Sequence, residues 1–178
     1  MTDEGLRLVP LGPEHAEAMD ALARDVDVDR FTRIPSPAPE GFGGQWVERY
    51  VRAREEGTAA GFAIEDAETG EFLGFASLVA LHLDEQEAEA GYLVPSRVRG
   101  RGIATRALRM LTEWAFREYP LERIELKIDT ENAPSEVVAE RCGYVKEGVL
   151  RSTFLKPGMR SDTAIWSRLR GDGPLPGA

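Results

Sequence analysis

The chain has one cysteine and two histidines in 178 residues. A single thiol, Cys142, excludes a disulfide framework within the chain. Cys142 stands between a helical segment and Gly143, with neither histidine near it in sequence, so it reads as a small buried filler rather than a nucleophile. No apolar run approaches the roughly 20 residues of a membrane span, and no basic-then-apolar leader opens the chain. A cytoplasmic protein with no membrane partner is therefore expected. Acids outnumber bases 31 to 22, for a formal net charge of −9. That excess argues against nucleic acid as a direct partner and suits a cationic one. No repeat is visible and no metal site is expected. The length fits one domain over residues 1–170, followed by a disordered tail at 171–178 that holds three glycines and two prolines.

Acids are themselves missing from one window. Between Arg97 and Arg109 there are five arginines (Arg97, Arg99, Arg101, Arg106 and Arg109) and no carboxylate. The window follows a strand-like run, Glu87 to Val94, and opens a helix. Gly100 and Gly102 let the backbone come close to a ligand and leave amides free. A helix N-terminus with bare amides and arginines around it takes an anion, most often a phosphate. Two common phosphate loops do not fit. A P-loop closes on Gly-Lys-Ser/Thr, whereas Gly102 is followed by Ile103 and Ala104. A dinucleotide fingerprint wants a third glycine where Thr105 stands.

The rest of the chain interleaves strands and helices, which gives an α/β (α+β) class with a mixed sheet. Leu6 to Leu11 reads as a first strand. Pro13 opens a helix to about Arg24 with Ala16, Met19 and Ala23 on one face. Ile34 to Pro39 is a proline-rich loop. A second helix covers Phe42 to Glu55, with Trp46, Val47, Tyr50 and Val51 as its apolar side. Gly61–Glu65 and Glu71–Leu81 form a hairpin about Glu68-Thr69-Gly70, and His82 to Gln86 is a polar connection. The helix from Ile103 carries Ala107, Leu111, Trp114 and Ala115 along one stripe and stops at Pro120. Arg123 to Asp129 alternates strictly, as a strand does. A short helix follows Pro134 and ends at Gly143. Tyr144–Arg151 and Ser161–Leu169 are strands around Lys156-Pro157-Gly158.

The segment RVRGRGIA resembles the acyl-coenzyme A signature of the GNAT N-acetyltransferases, Gln/Arg-x-x-Gly-x-Gly/Ala, with Arg97, Gly100 and Gly102 at its fixed positions. EAEAGYLVP before it is similar to the family's fourth strand. NAPSEVVAERCGYVKEGVLR resembles the segment after its fifth. The RimJ/RimL-like ribosomal-protein acetyltransferases share the chain length and an LRL…PL opening. The likeness is specific from about Glu87 to Leu169 and diffuse before it.

The resemblance implies the GNAT fold, a mixed central sheet whose fourth and fifth strands splay apart between flanking helices, and acetyl-CoA as co-substrate. The backbones of Arg99, Gly100, Arg101, Gly102, Ile103, Ala104 and Thr105 would hold the pyrophosphate, with arginine side chains adding charge-assisted bonds. The backbones of Leu93 and Val94 would pair with the pantetheine arm, and one of their N–H groups would serve the oxyanion. Asn132 matches the family asparagine that bonds the arm; read alone it is equally a helix cap before Pro134. Glu89 is the implied base, with Glu87 in reserve; read alone Glu89 is equally a solvent-facing strand residue. The family's general-acid tyrosine is replaced by Ala139. Ser135 sits where the RimJ/RimL-like branch has a serine, either as a donor to sulfur or as a second cap. The acceptor would lie under the segment from about Asp25 to Gly44, where Asp25, Asp27 and Asp29 are either a cation lure or a solvated loop. It would be an amine, a peptide N-terminus or a small molecule such as a polyamine or an antibiotic. A non-catalytic acyl-CoA-binding module is the competing class. Phe154, Trp166 and Leu169 could pack inward or across a homodimer.

Overall fold

A computed structural model describes residues 1–156 and 159–173. One eight-stranded sheet runs through the molecule in the order β1-β2-β3-β4-β5-β6-β8-β7. Its strands are β1 (Thr2–Asp3), β2 (Leu6–Pro10), β3 (Ala60–Asp66), β4 (Phe72–His82), β5 (Glu87–Leu93), β6 (Arg123–Asp129), β7 (Val145–Lys156) and β8 (Met159–Leu169). The helices are α1 (Ala16–Ala23), α2 (Val26–Phe31), α3 (Phe42–Glu55), α4 (Ile103–Glu118) and α5 (Ala133–Arg141). Because residues 2–3 add a short strand that the sequence did not announce, the GNAT fourth and fifth strands are β5 and β6 here.

Alternation along the strands gives the sheet two apolar faces, and each has its own core. Leu6, Leu8, Phe62, Ile64, Ala88, Ala90, Ile124 and Leu126 face α4 and α5, joined by Ala107, Leu108, Leu111 and Ala115. Ala63 and Phe75 face the other way, against Met19, Leu22, Val28, Val47 and Tyr50 from α1, α2 and α3. The stripe expected on α4 is the buried one, except that Trp114 is half-buried. Val51, expected on the apolar side of α3, is exposed, since Val47 and Tyr50 already fill the contact with the sheet. Cys142 is fully buried, and burial pushes its thiol up to about 11, which suits a filler and not a nucleophile.

Every neighbouring pair in the sheet is antiparallel except β5 and β6. Those two are parallel over Glu87↔Arg123, Ala88↔Ile124 and Glu89↔Glu125 and then part. From residue 90 onward β5 remains paired with β4 alone, while β6 remains paired with β8. The expected splay is therefore a fork that begins just after Glu89.

Two sequence expectations changed. The acidic run at Asp25, Asp27 and Asp29 is not a solvated loop: Asp25 caps α2 by accepting from the amides of Asp27 and Val28. The tail expected from Gly171 begins with an ordered turn, in which Asp172 accepts from the Leu169 amide and Arg168 donates to the Gly173 carbonyl at 2.6 Å. Residues 174–178 lie outside the described residues, as do Pro157 and Gly158 of the expected late turn.

Candidate active site

The loop from β5 to α4 carries a run of main-chain donors. Gly100 and Gly102 both have φ near +75°, the left-handed region that glycine enters without steric cost. Two such residues flanking Arg101 keep this stretch out of the helix until Ile103. The N–H groups of residues 100–105 meet no acceptor in the described chain. Those of residues 102–105 are the orphans that any helix start leaves, and no acid stands in the first turn of α4 to take them. A Cβ placed on Gly100 or Gly102 would meet no protein atom within 4 Å, so the space beside both is open.

The arginines around this loop are less free than their spacing suggests. Arg97 donates to Glu71 and, at 2.6 Å, to the Phe72 carbonyl. Arg99 donates to Asp27, to Asp25 at 3.2 Å, and through Nε to the Val94 carbonyl at 2.9 Å. Arg106 donates to Asp3 and the Glu4 carbonyl, and Arg109 to the Arg141 carbonyl. Arg101 alone of the five has no protein partner among the described residues, and it is exposed. Asp25 also accepts from the Ser96 amide at 2.7 Å, and Arg30 at the far end of α2 pairs with Glu131 at 2.8 Å. The short helix α2 is thus tied to the loop after β5 at one end and to the loop after β6 at the other.

The open edge of β5 has a defined register. The Leu93 carbonyl lies against β4, where a Cβ on Gly74 would come within 2.4 Å of it. Backbone groups alternate between the two sides of a strand, so Leu93 spends its N–H and C=O on β4 and Tyr92 presents its own to the fork. Of the two residues expected to carry the free amide, Leu93 and Val94, the alternation leaves Val94 on the side of the fork with Tyr92 and turns Leu93 away. Side-chain alternation tells which face of the sheet a residue points to, not which neighbouring strand its amide points to.

Side chains reach the fork from both faces. On the face of α4 and α5, Tyr92 Oη lies 2.6 Å from Ser135 Oγ and donates to the Ser135 carbonyl at 3.2 Å. Burial pushes the Tyr92 phenol well above its usual range, so it stays protonated. Ser135 sits in the first turn of α5, where Asn132 is the N-cap and Asn132 Oδ1 accepts from the Ser135 amide at 3.3 Å. The cap reading of Asn132 therefore holds, and it uses the side-chain oxygen and leaves the amide nitrogen. Ala139 is fully buried against α4 and the sheet, so no phenol could occupy its position without repacking. On the opposite face, Glu89 is bound by Lys127 at 2.9 Å, and Lys127 also holds Glu125 at 2.9 Å. Glu87 lies two residues further from the fork.

No group of three or more His, Cys, Asp or Glu among the described residues could hold a metal ion. No helix among the described residues is long and apolar enough to cross a membrane.

A mixed sheet forked at its one parallel pair, with a bare helix start at the mouth of the fork, defines an acyl-coenzyme A-dependent transferase: the loop suits a diphosphate and the open strand edge suits an amide-bearing arm. The acetyltransferase (GNAT) domain family matches residues 5–145, and the chain belongs to that family. It is 27% identical over 167 residues to the uncharacterized N-acetyltransferase p20 of Bacillus licheniformis, covering 94% of each chain. RimL, a ribosomal L7/L12 alpha-N-protein acetyltransferase solved with coenzyme A, has the same fold, with a TM-score of 0.86 at 21% identity over 95% of this chain and 96% of that one. A spermidine N-acetyltransferase from Vibrio cholerae, solved with CoA and spermine, gives 0.84 at 20% identity over 96% and 98%. The chain is an acetyl-CoA-dependent N-acetyltransferase with acetyl-CoA as co-substrate.

Proposed function

We propose that this enzyme transfers the acetyl group to a primary amine by direct attack within a ternary complex, and that the acceptor is the α-amino group of a peptide or protein. The observation that carries the reading is the run of unpartnered amides over residues 100–105 at the mouth of a fork whose edge is unpaired. In this reading the backbones of Gly100, Arg101, Gly102, Ile103, Ala104 and Thr105 hold the diphosphate, with the Arg101 guanidinium beside them; Arg99, expected among them, gives its amide to the Ser96 carbonyl instead. The grip is mostly main-chain, since Arg97 and Arg99 are held by Glu71, Asp25 and Asp27. The backbones of Tyr92 and Val94 pair with the pantetheine arm, and the Asn132 amide nitrogen bonds it from the β6 side.

Acetyl-CoA supplies the thioester carbonyl. The Tyr92 N–H, free at the fork, donates to the oxygen as charge develops on it. Glu89 takes the proton from the amine, directly or through water. The one Tyr92 proton lies within reach of both the Ser135 carbonyl and Ser135 Oγ; turned to Oγ, it leaves the Ser135 proton for the departing sulfur. A thiol is a fair leaving group, so a hydroxyl donor is sufficient and the missing tyrosine at 139 is not a defect. Any carboxylate is a weak base beside an alkylamine, which favours an amine that is partly neutral at pH 7. An α-amino group, with an ordinary pKa of about 7.7–8.0, meets that condition better than an alkylamine of about 10.4. The reaction is assigned to the cytoplasm. Exposed Val145, Val149, Leu150 and Leu169 on the β7–β8 hairpin support a homodimer there; Trp166 is buried and turns inward, and the side chain of Phe154 lies outside the described residues.

The deciding experiment is thiol release from acetyl-CoA with amidated peptides, comparing the wild type with Glu89→Gln. Turnover is expected to fall about 100-fold, within the range for a positioned base, with coenzyme A affinity unchanged. Equal turnover removes Glu89 from the mechanism. Tight coenzyme A binding with no turnover on any peptide or small amine removes the acceptor reading altogether.

A further inference from the structure

At the point where β5 and β6 part, three charges meet on the face opposite Tyr92 and Ser135. Glu89 and Glu125 are the last paired residues of the two strands. Both carboxylates contact one ammonium, that of Lys127, from 2.9 Å each. Arg123 stands beyond them, 3.5 Å from Glu125 and held in a two-pronged clasp by Glu147 at 2.7 Å. The chain has therefore placed one of its own primary ammonium groups in a two-carboxylate seat beside the fork. The carboxylates are about a quarter exposed and the lysine is 44% exposed, so the seat can be reached from solvent. Burial works against the Lys127 charge, but the hydrogen bonds to Glu125 and Glu89 outweigh it and hold the group cationic.

We infer that Lys127 is a specificity-determining residue: its ammonium fills the cation seat between Glu89 and Glu125 and so turns polycationic amines away from the fork. This rests on the reading that the acceptor approaches past Glu89. A polyamine would need that seat for one ammonium while a second nitrogen, having given its proton to Glu89 directly or through water, attacks the thioester. With Lys127 present one ammonium takes up both carboxylates of the seat; without it Glu89 is left without that cation and Glu125 keeps only Arg123 at 3.5 Å. Like charge against the incoming amine is also a repulsive element, the usual means of excluding a competitor rather than improving the chosen partner. A peptide with one α-amino group and no second cation does not need the seat.

The test compares the wild type, Lys127→Met and Lys127→Arg with two acceptors, spermidine and an amidated tri-alanine, read as thiol release from acetyl-CoA. Lys127→Met keeps the aliphatic stem and removes the charge. It is expected to raise kcat/KM for spermidine about tenfold, equivalent to about 1.4 kcal/mol, and to leave tri-alanine amide within about threefold, a gain that shrinks as salt rises. Lys127→Arg keeps the wild-type ratio. A purely structural lysine would lower both acceptors together and could not invert their ratio. A spermidine-to-peptide ratio in Lys127→Met no higher than in the wild type overturns the inference; where the wild type acetylates neither probe, absence of spermidine turnover in Lys127→Met overturns it. Should Lys127→Met fail to fold by circular dichroism, Lys127→Gln gives the same comparison with a polar stem. The Glu89→Gln result stands apart: unchanged peptide turnover there sinks the base, whereas the acceptor ratio in the Lys127 variants alone decides the lysine.

Discussion

On one side of the fork, six successive amides have no partner in the described chain; on the other, Glu89, Glu125, Lys127, Arg123 and Glu147 are all held by one another. The first region is main chain and the second is side chain. Helix geometry orphans its first amides whatever the sequence, so those donors cannot be neutralised locally unless a cap residue is supplied. Here the cap position is Gly102, which has no side chain to supply. Charged side chains can turn to each other, and in a chain with 31 acids they do. The cofactor side is thus built ready to bind, while the acceptor side starts with its charges already matched and must exchange partners to bind a cation.

The largest break in that comparison is expected from Gly102→Val. The new side chain would point into the open space beside the loop and would need a left-handed backbone that valine strongly disfavours. Coenzyme A affinity by calorimetry should fall about 100-fold, or about 2.7 kcal/mol. Thermal stability should fall only modestly, since the strain is about 1–2 kcal/mol and a Cβ there meets no protein atom. Unchanged affinity would show that the amides are not the grip.

A smaller effect separates free from engaged arginines. Arg101→Ala should weaken coenzyme A about tenfold, below the full worth of a charged hydrogen bond because the group is exposed. Arg97→Ala and Arg106→Ala should each stay within about threefold, because those guanidiniums serve Glu71 and Asp3. Equal losses across the three would mean that the ion pairs of the free protein open on binding, and the contrast between the two sides would narrow. Tyr92→Phe probes the edge between them. It should lower kcat about fivefold, the scale of one hydrogen bond, with coenzyme A affinity unchanged. Ser135→Ala combined with it should add little, since the two hydroxyls act as one unit.

The same contrast explains what could be read from the sequence. Gly100 and Gly102 announced the loop because a left-handed backbone has a residue signature, and the strict alternation of Arg123 to Asp129 announced β6 to the residue. Pairings between distant side chains carry no such signature. Arg97 finds Glu71 across 26 residues and Arg99 finds Asp27 across 72, so the window looked like free positive charge when most of it was spent. Helix α2 was missed for a related reason: six residues with two acids and no apolar period read as loop, and only the cap by Asp25 and burial of Val28 make them helical. Tyr92 drew no role from the sequence, because the one proposed for it depends on which way one amide points and on Ser135, 43 positions away.

The smallest effect asks whether the matched charges of the acceptor side serve stability rather than binding. Glu147 accepts two hydrogen bonds from Arg123 and one from Ser167, at 2.6–2.7 Å, and they hold its carboxyl down to about 2. An unfolded glutamate titrates near 4.3. The folded pKa is the lower one, so the contribution is fully present above about 4.3 and is lost as pH falls toward 2. The group is largely exposed, so its worth is within about 1 kcal/mol. Urea unfolding of wild type and Glu147→Gln should therefore differ by a small constant amount from pH 7 to pH 5, and the gap should close progressively below pH 4. A gap that persists unchanged into acid would mean that the difference does not come from the carboxylate charge. A gap that instead appears in acetyl transfer at neutral pH, with stability equal, would move Glu147 and Arg123 from the scaffold into the acceptor site and erase the distinction between the two sides of the fork.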